Sequence, residues 1–193
     1  MSVIEAIEAR DEARARRLAA EHPGAARERD ARGVSAPLLA LYHGLGRLAA
    51  ELLPDDAELD VFEAAAFGRV EPLRRLLDRD PALANAWAPD GFQPLGLACF
   101  FGRVDAARLL VERGADVESR ARNERIKTTP LQAAVAGAVP DARHEIASLL
   151  LDHGADPNAE LEGGFTPLDA AEQNRDARLR EVLLAHGARP RAG

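Results

Sequence analysis

Three times along the chain a Pro–Leu pair is answered, 20 or 24 residues later, by a glycine in the same setting. Pro94-Leu95 leads to Arg113-Gly114-Ala115-Asp116, Pro130-Leu131 to His153-Gly154-Ala155-Asp156, and Pro167-Leu168 to His186-Gly187-Ala188. Proline has a fixed φ and no N–H to lose, which suits the first turn of a helix. Glycine reaches the left-handed backbone that closes a helix at its C-terminus. The distance between them holds two short helices. After Pro94, the residues Leu95, Leu97 and Ala98 give the first helix an apolar side, and Gly102 can break it. Val104, Ala107, Leu110 and Val111 then recur at helical spacing on the second. A helix pair of this size cannot bury its apolar side alone, so a chain that repeats it must stack the copies.

The first half of the chain carries the same unit in a drifted form. A shift of 58 residues lays Glu5 on Glu63, Leu18 on Leu76, Pro23 on Pro81 and Gly33 on Gly91. The same shift lays Gly44 on Gly102, Leu52 on Leu110 and Ala57 on Ala115. The pattern Thr-Pro-Leu, alanines, a mid-unit glycine, Leu-Leu and Gly-Ala-Asp resembles the ankyrin repeat, whose unit is about 33 residues. The resemblance covers almost the whole chain. It implies an all-α ankyrin-repeat solenoid of stacked helix-turn-helix units with finger loops, forming a single domain over 1–193. We expect an N-terminal helical cap at 1–32 and repeats at 33–60, 61–90, 91–121, 122–160 and 161–190. In the cap, Ile4, Ile7, Ala13, Leu18 and Ala19 mark one apolar stripe among charged residues. The unit at 61–90 lacks a Thr-Pro-Leu start, so its first helix should follow the preceding loop directly.

The chain departs from the family pattern in five places. The histidine that follows Pro-Leu in typical repeats, and bonds to the threonine hydroxyl, is replaced by Gly96, Gln132 and Asp169. Gln132 and Asp169 keep groups able to bond across the turn; Gly96 does not. Residues 137–144, Ala138 among them, place four extra positions between two helices. Residues 120–127 form a lengthened finger in which Arg120, Arg122, Arg125 and Lys127 face a single acid, Glu124. That finger is either a solvated loop or a contact surface. The tail after Gly187 is expected to fray.

Composition narrows the function classes. The net charge is −7, which disfavours a phosphate backbone as partner. One cysteine, Cys99, allows no internal disulfide and fits a reducing, cytoplasmic setting. There is no apolar run of about 18 residues for a membrane span, and Met1-Ser2-Val3-Ile4-Glu5 shows no secretory signal. Twenty-four arginines against one lysine suggest a GC-rich, bacterial type of coding sequence. No nucleophile elbow, zinc-binding HExxH, phosphate loop, CxxC or dinucleotide fingerprint occurs, so no catalytic residue, metal or cofactor is assigned. His153 and His186 stand just before closing glycines, where they can meet the last helix carbonyls. Asp152, His153 and Asp156 have no second cluster to complete a metal site. Cys99 falls where a small buried residue is wanted, and Asp116 and Asp156 should bond to local backbone.

The resemblance also implies a concave face lined by finger loops and first helices. Carried over position by position, its contact sites are the finger tips, the residue after the turn glycine and the two residues before the mid-unit glycine. The candidates are Tyr42, His43, Phe67, Trp87, Pro89, Asp90, Phe92, Phe100, Phe101, Arg125, Lys127, Phe165, Gln173 and Asn174. Arg32, Ile126, Thr128, Ala136 and Glu162 occupy equivalent places. Six of the chain's eight aromatic residues fall in these positions, with Trp87 at the base of a finger. Clustered exposed aromatics mark interaction sites. The alternative for Phe67, Phe100 and Phe101 is packing sideways between units. The expected function is a non-catalytic module, monomeric when free, that binds an unidentified protein or peptide on this face. A groove binding or transforming a small molecule, and a self-associating subunit, are the other classes considered.

Overall fold

The computed structural model describes residues 2–22, 24–53, 58–137, 139–161 and 163–190. Pro23, Ala57, Ala138 and Glu162 lie outside them. Twelve α-helices among the described residues form six consecutive pairs: α1 (Val3–Glu8) and α2 (Glu12–Glu21), α3 (Ala36–Tyr42) and α4 (Gly46–Leu52), α5 (Val61–Phe67) and α6 (Val70–Arg79), α7 (Pro94–Phe100) and α8 (Val104–Glu112), α9 (Pro130–Ala136) and α10 (Pro140–Asp152), α11 (Pro167–Gln173) and α12 (Ala177–Ala185). The first helices pack on one another in order, α1 on α3, α3 on α5, and so on to α11. The second helices make an outer row, in which α2 packs on α4, and α6, α8, α10 and α12 follow in sequence.

Local chemistry explains where the helices start and stop. The Ser2, Asp60, Thr129 and Thr166 side chains accept from the N3 amides of α1, α5, α9 and α11, and Glu5, Glu63, Gln132 and Asp169 reach back to the cap amides. Such boxes satisfy amides that a helix start leaves unpaired. Gln132 and Asp169 thus bond across their turns as their polar ends allow: Thr129 N–H donates to Gln132 Oε1 at 2.9 Å, and Thr166 Oγ1 donates to Asp169 Oδ2 at 3.0 Å. α3 and α7 have no side-chain cap bond. The mid-unit turn is closed at positive φ by Gly44, Gly68 and Gly102, and in the first and last pairs by Arg10 (57°) and Arg175 (54°).

Three sequence expectations need correction. Ala13 is exposed, and Ala15 is the buried alanine of α2. The left-handed residue Arg10 ends α1 and Asp11 caps a new helix, so the apolar phase restarts rather than running through. The extra positions near 137–144 mostly lengthen α10 to 13 residues, against 9 in α8, instead of making a longer loop. The chain after Gly187 does not fray at once: Ala188 is buried, and Arg189 N–H donates to Asn158 Oδ1 at 2.8 Å. As expected, His153 Nδ1 and His186 Nδ1 meet the Leu149 and Val182 carbonyls, each at 2.8 Å. Asp116 and Asp156 accept from Glu118 and Asn158 amides. Cys99 is buried, which pushes its thiol pKa far up and leaves it inert.

The buried apolar side chains form two clusters rather than one. The first holds α1–α4 together with Ala66 and Leu97; the second runs from Leu59 to Ala188. Helices α5 and α7 belong to both. α7 gives Leu97 to the first cluster and Leu95, Ala98 and Cys99 to the second. Among the described residues no helix is long and apolar enough to cross a membrane.

Candidate binding groove

Among the described residues four hairpin-like fingers rise beside the first helices. Their ladder bonds are Asp30 N–H to the Val34 carbonyl, Ala88 N–H to Phe92, Ala121 N–H to Thr128, and Leu161 N–H to Phe165, at 2.8–3.0 Å. Between α4 and α5 the described residues 58–60 run straight into the helix that Asp60 caps, as the missing Thr-Pro-Leu implied. The finger at 88–91 comes close to the one at 30–33. A Cβ on Gly33 would sit 3.0 Å from the Pro89 side chain. Tyr42, at the end of α3, reaches across, and its hydroxyl donates to Asp90 Oδ2 at 2.9 Å. Burial, then the Asp90 charge, drives the phenol pKa well above its ordinary value, so it stays a donor.

A groove of about 460 Å³ lies between α3, α7, α9 and the fingers at 119–128 and around 92. Its floor is aliphatic, from Leu39, Leu97, Pro130 and Ala133. Tyr42, Phe92 and Phe100 supply its rings, and Arg32, His43, Asn123, Arg125 and Ile126 stand around its rim. Gly96 lies on the floor, and a Cβ there would meet nothing within 4 Å. The position where the family's histidine is missing thus opens directly on the groove. The rings are interlocked: Tyr42 lies edge-on to Phe92 with centroids 6.2 Å apart and stacks on Phe101 at 6.0 Å, and Phe100 stands edge-on to Phe101 at 5.1 Å. Such pairs add about 0.5–1.5 kcal/mol each beyond their buried area.

The two ends of the groove differ in charge. At the α3 end, Arg32 donates to Asp30 Oδ2 through Nε (2.9 Å) and Nη2 (2.8 Å). The Asp30 bond is the main reason the guanidinium pKa is raised. Burial alone would raise the Asp30 carboxyl, but amide N–H groups of Val34 and Arg32 and the Arg32 side chain outweigh it and hold it low. At the other end the finger is tied down by neutral partners. Arg122 N–H donates to the Gly91 carbonyl (2.8 Å) and its guanidinium lies 4.0 Å over the Trp87 ring. Asn123 Nδ2 donates to the Asp90 carbonyl at 2.8 Å, and Asn123 Oδ1 accepts from the Arg125 and Ile126 amides.

Of the residues singled out from the sequence, the structure brings Tyr42, His43, Phe92, Phe100 and Arg125 together in this groove. Asp90 is buried beside it and Phe101 is packed behind Tyr42 and Phe100. Phe67 is half-buried against the first core cluster, and Trp87 serves as the seat for Arg122. Lys127 is exposed on the finger, and Pro89 touches the neighbouring finger. Phe165 is half-buried, and Gln173 and Asn174 are exposed on the last pair; none of the three lines the groove. The rings thus do not all share one hollow: three line it, and Phe67 and Phe101 pack sideways. The floor positions Gly96 and Ala133 escaped sequence reading. Their one signal is a small side chain two or three residues after the proline that opens the helix.

Paired helices in two rows, fingers beside the inner row and glycines at both turns are the geometry of one repeat family, and direct comparison agrees. A family model described as ankyrin repeats in many copies matches residues 61–111, and one described as ankyrin repeat matches residues 127–160. The chain is an ankyrin-repeat protein. Its likeness to a crystal structure of an ankyrin repeat domain from Acinetobacter baumannii AYE extends over 97% of this chain and 98% of that one, with a TM-score of 0.61 and 24% identity. The rat ankyrin repeat and SAM domain-containing protein 6 is 32% identical over 110 residues, 57% of this chain. The human neurogenic locus notch homolog protein 4 is 35% identical over 130 residues, 67% of this chain. The matches span only 12% and 6% of those two relatives. Ankyrin repeats are in general protein–protein interaction modules and non-enzymatic scaffolds. Among the described residues no group of three or more His, Cys, Asp or Glu side chains is placed to hold a metal ion.

Proposed function

We propose that this ankyrin array holds a partner protein or peptide on its concave face, in the groove between α3, α7, α9 and the finger at 119–128. One observation carries the reading. Three large apolar side chains are exposed among the described residues, Phe100, Ile126 and Val139, and two of them, Phe100 and Ile126, line this groove. Exposed apolar surface gathered in a concave site is what a partner side chain can cover, at about 1.5–3 kcal/mol for each large residue buried. The reading includes a chain that is monomeric when free, works in the cytoplasm and engages neither nucleic acid nor membrane. The repeat boundaries at 33, 61, 91, 122 and 161 belong to the same proposal.

The test compares Phe100→Ala with Phe165→Ala in affinity capture from lysate of the native host, quantified by mass spectrometry. Proteins held by the groove are retained by wild type and Phe165→Ala and lost from Phe100→Ala. Equal recovery by all three forms places the binding surface elsewhere.

A further inference from the structure

The groove also states what kind of segment it fits. Its lining includes Arg125 and contains no carboxylate side chain. The finger at 120–127 carries four cations against Glu124, in a chain whose net charge is −7. Ion pairs elsewhere occupy Arg16, Arg27, Arg108, Arg113 and Arg143, whereas the Arg120 and Arg122 side chains of this finger are held by uncharged groups among the described residues. Arg122 rests on the Trp87 ring, and Arg120 Nη1 donates to the Glu160 carbonyl at 3.0 Å. A ring face and a carbonyl fix a guanidinium in place without cancelling its charge. Arg125 and Lys127 are exposed. The opposite end of the groove is different, because Arg32 is already neutralised by Asp30 and stands near Asp90. Positive potential therefore lies at one end of an apolar slot, on a finger clamped to its neighbour through Gly91 and Asp90.

We propose that the occupant is an internal segment of a partner protein with one large apolar side chain for the slot and a run of Asp or Glu at one side of it, seated over residues 120–127. This rests on the groove being the binding surface. A chain-terminal carboxylate brings one negative charge, and the finger has an excess of three, so side-chain carboxylates in a cluster match it. A nucleic acid fits less well. Its rings, Tyr42, Phe92 and Phe100, stand beside an aliphatic floor and are engaged edge-on, Tyr42 with Phe92 and Phe100 with Phe101, rather than laid out as a platform for successive bases. The charge of the rest of the chain also opposes a polyphosphate.

The test starts from a phage-displayed library of random dodecapeptides panned on the wild-type protein. Enriched peptides are synthesised and titrated, with emission of Trp87, the chain's one tryptophan, as the readout. The expected result is enrichment of a large apolar residue with Asp or Glu on one consistent side. Binding should weaken about tenfold in Arg125→Glu/Lys127→Glu, and by a similar factor when NaCl rises from about 50 to about 300 mM. Peptides that are apolar without an acidic bias, lost on Phe100→Ala but indifferent to salt and to the double charge reversal, overturn the acidic-segment inference and leave the groove standing. Peptides indifferent to Phe100→Ala, or no enriched peptide at all, overturn the groove reading as well. A random single-stranded oligonucleotide bound more tightly than any peptide would replace both with a nucleic-acid site.

Discussion

Replacing Gly91 with alanine separates two costs that usually arrive together. Gly91 has φ +85°, and a Cβ there would lie 2.5 Å from the Asn123 amide nitrogen and 2.6 Å from the Arg122 carbonyl carbon. Both are backbone atoms, which cannot swing aside as a side chain can. Gly114 has nearly the same backbone, φ +81°, and a Cβ there meets nothing within 4 Å. Gly114→Ala therefore reports the left-handed penalty alone, about 1–2 kcal/mol. Gly91→Ala carries that penalty and, in addition, an overpacking cost of about 1–3 kcal/mol as the finger is pushed away. The predicted difference is at least about 1 kcal/mol in urea unfolding, followed by Trp87 emission. A second readout is the native baseline. Moving Arg122 off the Trp87 ring shifts emission in folded Gly91→Ala but not in folded Gly114→Ala. If the two variants agree within about 0.5 kcal/mol and share a native spectrum, the finger is not clamped at Gly91 and the preorganised groove loses its support.

Three other outcomes follow from the geometry. Arg175→Gly should stabilise the array by about 0.5 kcal/mol, because glycine relieves the positive φ of an exposed arginine at some cost in unfolded-chain entropy, and a lower melting temperature would refute the turn geometry. Arg10→Gly should behave alike in the first pair. Asp176 caps α12 and bonds to His144 Nε2 (2.8 Å) and Arg143 Nη1 (3.2 Å). Burial alone would raise its pKa, but the Leu179 amide and those two side chains outweigh it and hold the carboxyl below its ordinary value. Its contribution is complete above the unfolded carboxyl pKa of about 3.9 and is lost as pH falls through the lower folded value. The stability gap between wild type and Asp176→Asn, measured by urea unfolding across pH, should close in that acid range; a constant gap down to about pH 2 contradicts the assignment.

Much of the fold is legible because its signals are local. Pro94 and Gly114, or Pro167 and Gly187, mark helix ends through their own backbone chemistry, with no help from neighbours. The phase of α2 was less legible because one arginine at positive φ, Arg10, does what glycine does elsewhere, and its side chain gives no sign of that. The groove was half legible. The positions of Tyr42, Phe92 and Phe100 follow from their places in the unit. Which of Phe100 and Phe101 faces outward depends on one residue of rotation at a helix end, and here Phe100 is exposed at 44% while Phe101 is half-buried. Phe165, Gln173 and Asn174 match the contact pattern as well as the others do. They lie outside the groove, whose lining runs from Arg32 to Ala136.

The two core clusters meet under the groove. Leu39 and Leu97 on its floor belong to the N-terminal cluster and Ala133 to the C-terminal one. Whatever settles there touches both bodies of the array at once and acts as a clasp across their junction. Occupancy then sets how firmly the leading helices are held to the remainder, so a bound segment would delay their separation under heat, force or proteolysis.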